Sequence, residues 1–101
     1  MNDEPTLGRE ALIDTLHEIA AVRTRTLKAV LHRLQDERRT LAAVISNEAE
    51  ILDILRSNPA CAEEVGQHVQ VLTDLRRSIG TLETMILDLE RIASLDRSFG
   101  A

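Results

Sequence analysis

The sequence predicts an all-α protein: an antiparallel hairpin of two long amphipathic helices, about 7–56 and 59–98, turning at Asn58-Pro59. Three observations predict it: a composition of helix formers with almost no aromatic residues, a Gly- and Pro-free heptad pattern from residue 9 to 56, and a second heptad pattern beyond Pro59 that mirrors the first.

Composition sets the class. Of 101 residues 44% are apolar, yet Phe99 is the only aromatic one, and Leu, Ile, Val and Ala supply nearly all the rest. β-Sheet proteins lean on aromatic and β-branched residues punctuated by Gly and Pro, whereas Leu, Ala, Glu and Arg favour helix. The net charge of −5 argues against a general nucleic-acid binder. A single cysteine, Cys61, excludes an internal disulfide framework and a Cys-rich zinc site. The acidic start, Met1-Asn2-Asp3-Glu4-Pro5, is no secretory signal, and no apolar run is long enough for a membrane span. These features lead to the expectation of a cytoplasmic protein without membrane contact: a flexible segment at 1–6, one helical-hairpin domain at 7–98 and a tail at 99–101.

The first helix takes its register from Ile13, Ala20, Leu27, Leu34, Leu41, Glu48 and Leu55 at position a, with Leu16, Arg23, Val30, Glu37, Val44 and Ile51 at d. Ten of these thirteen positions are apolar over six heptads, the period of a coiled-coil seam. The second helix places Val65, Leu72, Ile79, Ile86 and Ala93 at a, and Cys61, His68, Leu75, Leu82, Leu89 and Asp96 at d. Between them, Asn58 suits a helix N-cap, Pro59 suits the first helical position, and Glu63 and Glu64 suit the positive end of the helix dipole. Pairing the seams antiparallel sets Leu55 opposite Cys61, Glu48 opposite His68, Leu41 opposite Leu75 and Leu27 opposite Leu89, all centred on residue 58. Two alternatives are a continuous helix kinked at Pro59, forming an extended parallel dimer, and a break near Ser46-Asn47, where Asn47 and Glu50 have capping-box spacing.

One seam cannot cover all the apolar surface. Val71, Met85 and Ile92 widen the stripe of the second helix, and Ile45, Leu52 and Ile54 widen that of the first near the turn. Leu12, Ile13 and Leu16 run past the end of the second helix. Stripes this broad belong to helices with several neighbours. The expectation is a homodimer forming a four-helix bundle, or a protein partner of unknown identity docking on Leu12, Leu16, Ile45, Leu52, Ile54, Val71, Met85 and Ile92.

The residues that break the pattern are few. Glu48 and His68 would share a polar core layer, fixing the register or responding to pH. Arg23 with Asp96, and Glu37 with Arg76, fall close enough for ion pairs. Arg25, Lys28, His32 and Arg39 form a basic stripe, open to phosphate or nucleic acid in principle but without an aromatic residue for base stacking. Gly66 and Gly80 share a row with Thr73, and two helix-interior glycines suggest either the close approach of another helix or simple tolerance. Cys61 reads as a small apolar residue at the turn. No Ser-His-Asp, metal-ligand or phosphate-loop pattern occurs, so no catalytic residue, metal site or cofactor is assigned.

His17-Glu18-Ile19 is similar to the first three residues of the phosphoacceptor box of histidine-kinase dimerisation domains, which are also dimeric helical hairpins. The likeness would imply phosphotransfer through His17. Ala20-Ala21-Val22, however, replaces the basic residue, small polar residue and Pro that should follow. In general form the chain resembles the small acidic helical proteins of bacterial flagellar and type III secretion systems. The function expected is a non-enzymatic adaptor, scaffold or small export-type chaperone, with nucleic-acid or phosphate binding and histidine phosphotransfer as the alternatives.

Overall fold

The structure, a computed structural model, describes the backbone of residues 3–100 and the side chains of residues 8–95. Helix α1 spans Asp3–Arg56, a single 3₁₀ turn occupies Pro59–Cys61, and helix α2 spans Ala62–Gly100. The two helices pack against each other as an antiparallel hairpin, with no strand among the described residues.

Helix α1 begins ahead of residue 7, at Asp3, and α2 continues to Gly100. Pro5 falls in the first turn of α1, where a missing N–H breaks no intrahelical bond. No break occurs near Ser46-Asn47: α1 crosses it as regular helix. The seam explains why. Ile45, Glu48, Leu52 and Leu55 continue on one side of α1 through this region, and the packing they provide outweighs a local capping preference. Threonines elsewhere in the helices are satisfied locally; the hydroxyls of Thr24, Thr40 and Thr73 donate to the carbonyls of Ala20, Asp36 and Val69 one turn back.

The reversal takes few residues. The Ser57 and Asn58 amides donate to the carbonyls of Ile54 and Leu55 at 3.2 Å each, closing the end of α1. Asn58 is extended, with φ −122° and ψ 111°, as a residue preceding Pro must be. Its side-chain oxygen accepts from the Ala60 amide at 3.0 Å, and its carbonyl accepts from the Cys61 amide at 3.0 Å. Asn58 is thus the N-cap the sequence called for, with Pro59 at the first helical position.

The seam follows the expected register on α2 and departs from it on α1. On α2 and the turn before it the less exposed positions are Cys61, Val65, His68, Leu72, Leu75, Ile79, Leu82, Ile86, Leu89 and Ala93, every one an expected a or d residue. On α1 the a residues from Ala20 to Leu55 face the seam, but their companions are Thr24, Leu31, Ile45 and Leu52, one position after the expected d set. Val30, Val44 and Ile51 are 40%, 43% and 42% exposed. Leu52, assigned to a flank by the sequence register, is 3% exposed and one of three buried residues among those described, with Leu72 and Ile86.

The result is a rod, 89 × 16 × 15 Å, with a radius of gyration of 23.9 Å, where a compact domain of this length would have about 13 Å. Its accessible surface is 7938 Å². A compact monomer of 11.3 kDa would expose about 5,700 Å², so the chain leaves roughly 2,200 Å² more in water than a globular protein of its mass.

Candidate interaction surface

The rod has two long sides, distinguished by which residues flank the seam. Stepping from one seam position to its neighbours, one side carries Val30, Val44 and Ile51 from α1 beside Val71, Met85 and Ile92 from α2. All six are 40–47% exposed. A shallow groove on this side is lined by Leu41, Val44 and Leu82 and rimmed by Arg33, Asp36 and Glu37. The opposite side carries Lys28, Gln35, Ala49 and Arg56 beside Arg76, Glu83 and Glu90, so it is mostly polar or small, with Val69, 38% exposed, as the apolar exception in these rows. A second groove there is lined by Ala49, Asp53, Arg56, Val69, Thr73 and Arg76. The apolar excess therefore lies on one side of the hairpin.

The expected surface residues divide accordingly. Val71, Met85 and Ile92 stand exposed on the apolar side, and Leu12, Leu16 and Ile54 are exposed at 59%, 53% and 71%. Ile45 and Leu52 are committed to the hairpin's own seam and leave this group. Val30, Val44 and Ile51, which sequence reasoning placed in the seam, take their place on the surface. The start of α1 projects beyond α2 with Leu12 in water, and Leu16 and Ile19, level with the last turn of α2, are exposed too.

The polar layer forms across the seam. Nδ1 of His68 meets Oε1 of Glu48, with the Glu48 side chain 12% and the His68 side chain 33% exposed. Because the Glu48 carboxylate is the more enclosed of the two, the imidazole is the partner that satisfies it. No buried side-chain nitrogen or oxygen among the described residues lacks a hydrogen-bond partner.

No protein-family model, no curated protein and no solved structure compared with the chain matches it. The surface must be read on its own chemistry.

The charged residues do not gather into a site. Glu37 pairs with Arg33 on its own helix at 3.6 Å rather than with Arg76, which lies on the other side of the rod. The side chain of Asp96 lies outside the described residues, so its expected pairing with Arg23 does too. Along the basic stripe Arg25, Lys28, His32 and Arg39 are exposed, but His32 and Arg39 both turn to Asp36, the former at 3.4 Å. These are pairs one helical turn apart, the pattern of a solvated helix face. His17 is exposed on α1. A methyl group added at Gly66 or Gly80 would meet nothing within 4 Å, so no helix of this chain approaches either glycine. Cys61 is a half-buried free thiol at the tip of the rod. Among the described residues no group of three or more His, Cys, Asp and Glu is placed to hold a metal ion, and no helix is long and apolar enough to cross a membrane.

Proposed function

We propose that this chain is a non-enzymatic protein–protein interaction module of the cytoplasm, an adaptor, scaffold or small export-type chaperone, working as a dimeric helical bundle. The observation that carries the reading is the one-sided apolar flank: Val30, Val44 and Ile51 on α1 and Val71, Met85 and Ile92 on α2 line a single side of a rod that already satisfies its own seam. Exposed apolar residues gathered on one side in this way, here interrupted by Glu37 and Ser78, mark association sites rather than solvated faces. The area agrees: the roughly 2,200 Å² of excess surface exceeds the ~800 Å² per partner of a standard interface.

Analytical ultracentrifugation at micromolar concentration should find a particle of twice the 11.3 kDa chain mass. A monodisperse, well-folded monomer would overturn the dimeric part of the reading. The partner-binding part is tested by native pull-down with mass spectrometry, comparing the wild type with Val44→Glu and Met85→Glu. Partners retained by the wild type and lost by both variants support it; an identical set from all three removes it.

A further inference from the structure

The geometry points to a second copy of this chain, laid antiparallel on the apolar side with α1 against α1, related by a two-fold axis at the level of Gln35. The inference rests on the dimeric reading above and specifies what that reading leaves open: the face, the direction and the register.

Helix α1 carries a second stripe, separate from the hairpin seam and turned roughly 110° from it at 100° per residue, about where a square four-helix bundle places a helix's other neighbour. It runs in alternating steps of four and three residues, the spacing of a packing seam. Its ends are apolar, Leu16 and Ile19 at one and Ile51 and Ile54 at the other, all 42–71% exposed. Its middle holds Arg33 and Glu37, one turn apart and of opposite charge, at 83% and 52% side-chain exposure. An isologous contact demands that the stripe complement its own reverse. About Gln35 it does at its ends and its middle: Leu16 meets Ile54 of the second copy, Ile19 meets Ile51, and Arg33 meets Glu37, while Val30 and Val44 meet Thr40 and Thr26, and Arg23 meets Asn47. Sliding one heptad either way sets Arg33 against Val30 or Val44, which strands the charge on an apolar residue. Charge complementarity therefore selects one register from the set the heptad spacing allows.

Two further features fall into place without adjustment. The Glu48–His68 pair fixes the hairpin register, and it puts residue 81 of α2 level with Gln35. A two-fold there brings Val71 level with Ile92 of the second copy to within about one residue's rise of ~1.5 Å. It also lays the projecting start of α1, with Leu12 and Leu16, beside the turn end of the other α1, so the overhang is covered by the longer helix of its partner.

Disulfide trapping tests the register. With Cys61→Ala removing the native thiol, Ile19→Cys/Ile51→Cys puts two cysteines about 48 Å apart along one helix, so neither can close within a chain. Under mild oxidation this variant should run as a covalent dimer of twice the chain mass, whereas Ile19→Cys and Ile51→Cys alone should remain monomeric on a non-reducing gel. Val30→Cys/Thr40→Cys reads the same register independently if the first pair weakens association. A single-cysteine variant that cross-links by itself means a parallel or shifted arrangement and overturns the inference. So does a wild type that sediments as a dimer while neither double variant is trapped, an outcome that leaves the dimeric reading standing. A monomeric wild type overturns both.

Discussion

Glu48 and His68, twenty residues apart in sequence, meet across the hairpin seam through Oε1 and Nδ1, between the apolar seam residues Ile45 and Leu52 of α1 and Val65 and Leu72 of α2. One such layer fixes how the two helices align, because a slip of one heptad leaves a half-buried carboxylate facing Cys61 or Leu75.

Removing either partner should cost stability, and removing both should not. Glu48→Ala or His68→Ala should each lower the unfolding free energy by about 1 kcal/mol in urea denaturation. Glu48→Leu/His68→Leu should match or exceed the wild type, since apolar replacement of a part-buried polar pair is often neutral or stabilising by about 1–4 kcal/mol. A double variant weaker than both singles would show that the layer contributes net stability rather than alignment.

The seam makes a sharp contrast between two leucines. Leu52→Ala deletes a side chain only 3% exposed and should cost about 2–4 kcal/mol. Leu87→Ala, on an outward position of α2 that is 62% exposed, should stay within about 0.5 kcal/mol. Equal losses at the two sites in matched denaturation curves would contradict the observed seam.

Gly66→Ala and Gly80→Ala should each stabilise the protein by about 0.5–1 kcal/mol, because both sites are helical and a Cβ meets nothing within 4 Å. Thermal melts should rise by several degrees per substitution. A fall at either site would reveal that another molecule packs on that row.

The turn depends on Asn58. Asn58→Ala loses the acceptor of the Ala60 amide and should cost about 1 kcal/mol, whereas Asn58→Asp should keep most of the cap. Circular dichroism melts of the two variants, compared with wild type, measure the difference.

With His32 and Arg39 drawn to Asp36, and Arg33 beside them to Glu37, the basic stripe keeps Arg25 and Lys28 outside these ion pairs, two cations against a net charge of −5. Gel shifts with duplex DNA or RNA should show no retardation even at about 50 mM salt, where non-specific electrostatic binding is favoured. Salt-dependent retardation would return nucleic acid to consideration.

Much of this architecture was legible in the residues. The turn followed from Asn58-Pro59, and the α2 seam from a pattern in which a and d were apolar and few outer positions competed with them. On α1 the a row was legible but its companion was not. Leu16, Val30, Val44 and Ile51 make the d row more apolar than the row that packs, where Thr24 stands with Leu31, Ile45 and Leu52, and where His17 and Arg38 are exposed. Periodicity finds rows of apolar residues; it does not say whether a row packs against its own chain or stands open on a flank. The centring of the hairpin could not arbitrate, because exchanging one row for the other moves the midpoint by about half a residue. The same ambiguity placed Leu52 on the surface and Ile51 in the seam. Glu37 was misassigned for a related reason: an exposed Arg one turn away on the same helix is a nearer partner than Arg76 across the rod.

The Asn58 turn also sets an order of events. Every contact across the seam closes a loop through it, short for Leu55 and Cys61 and long for Leu27 and Leu89, and closure costs about 0.6 kcal/mol more for each doubling of length. The chain should therefore close as a zip from the tip and reopen from the far end. Amide protons beside Leu52 and Leu72 would then exchange slowest, with exchange quickening toward Leu12, whose neighbours wait for another chain. Stability in this protein would be a gradient along its length, highest at the fold-back and lowest at the end left open.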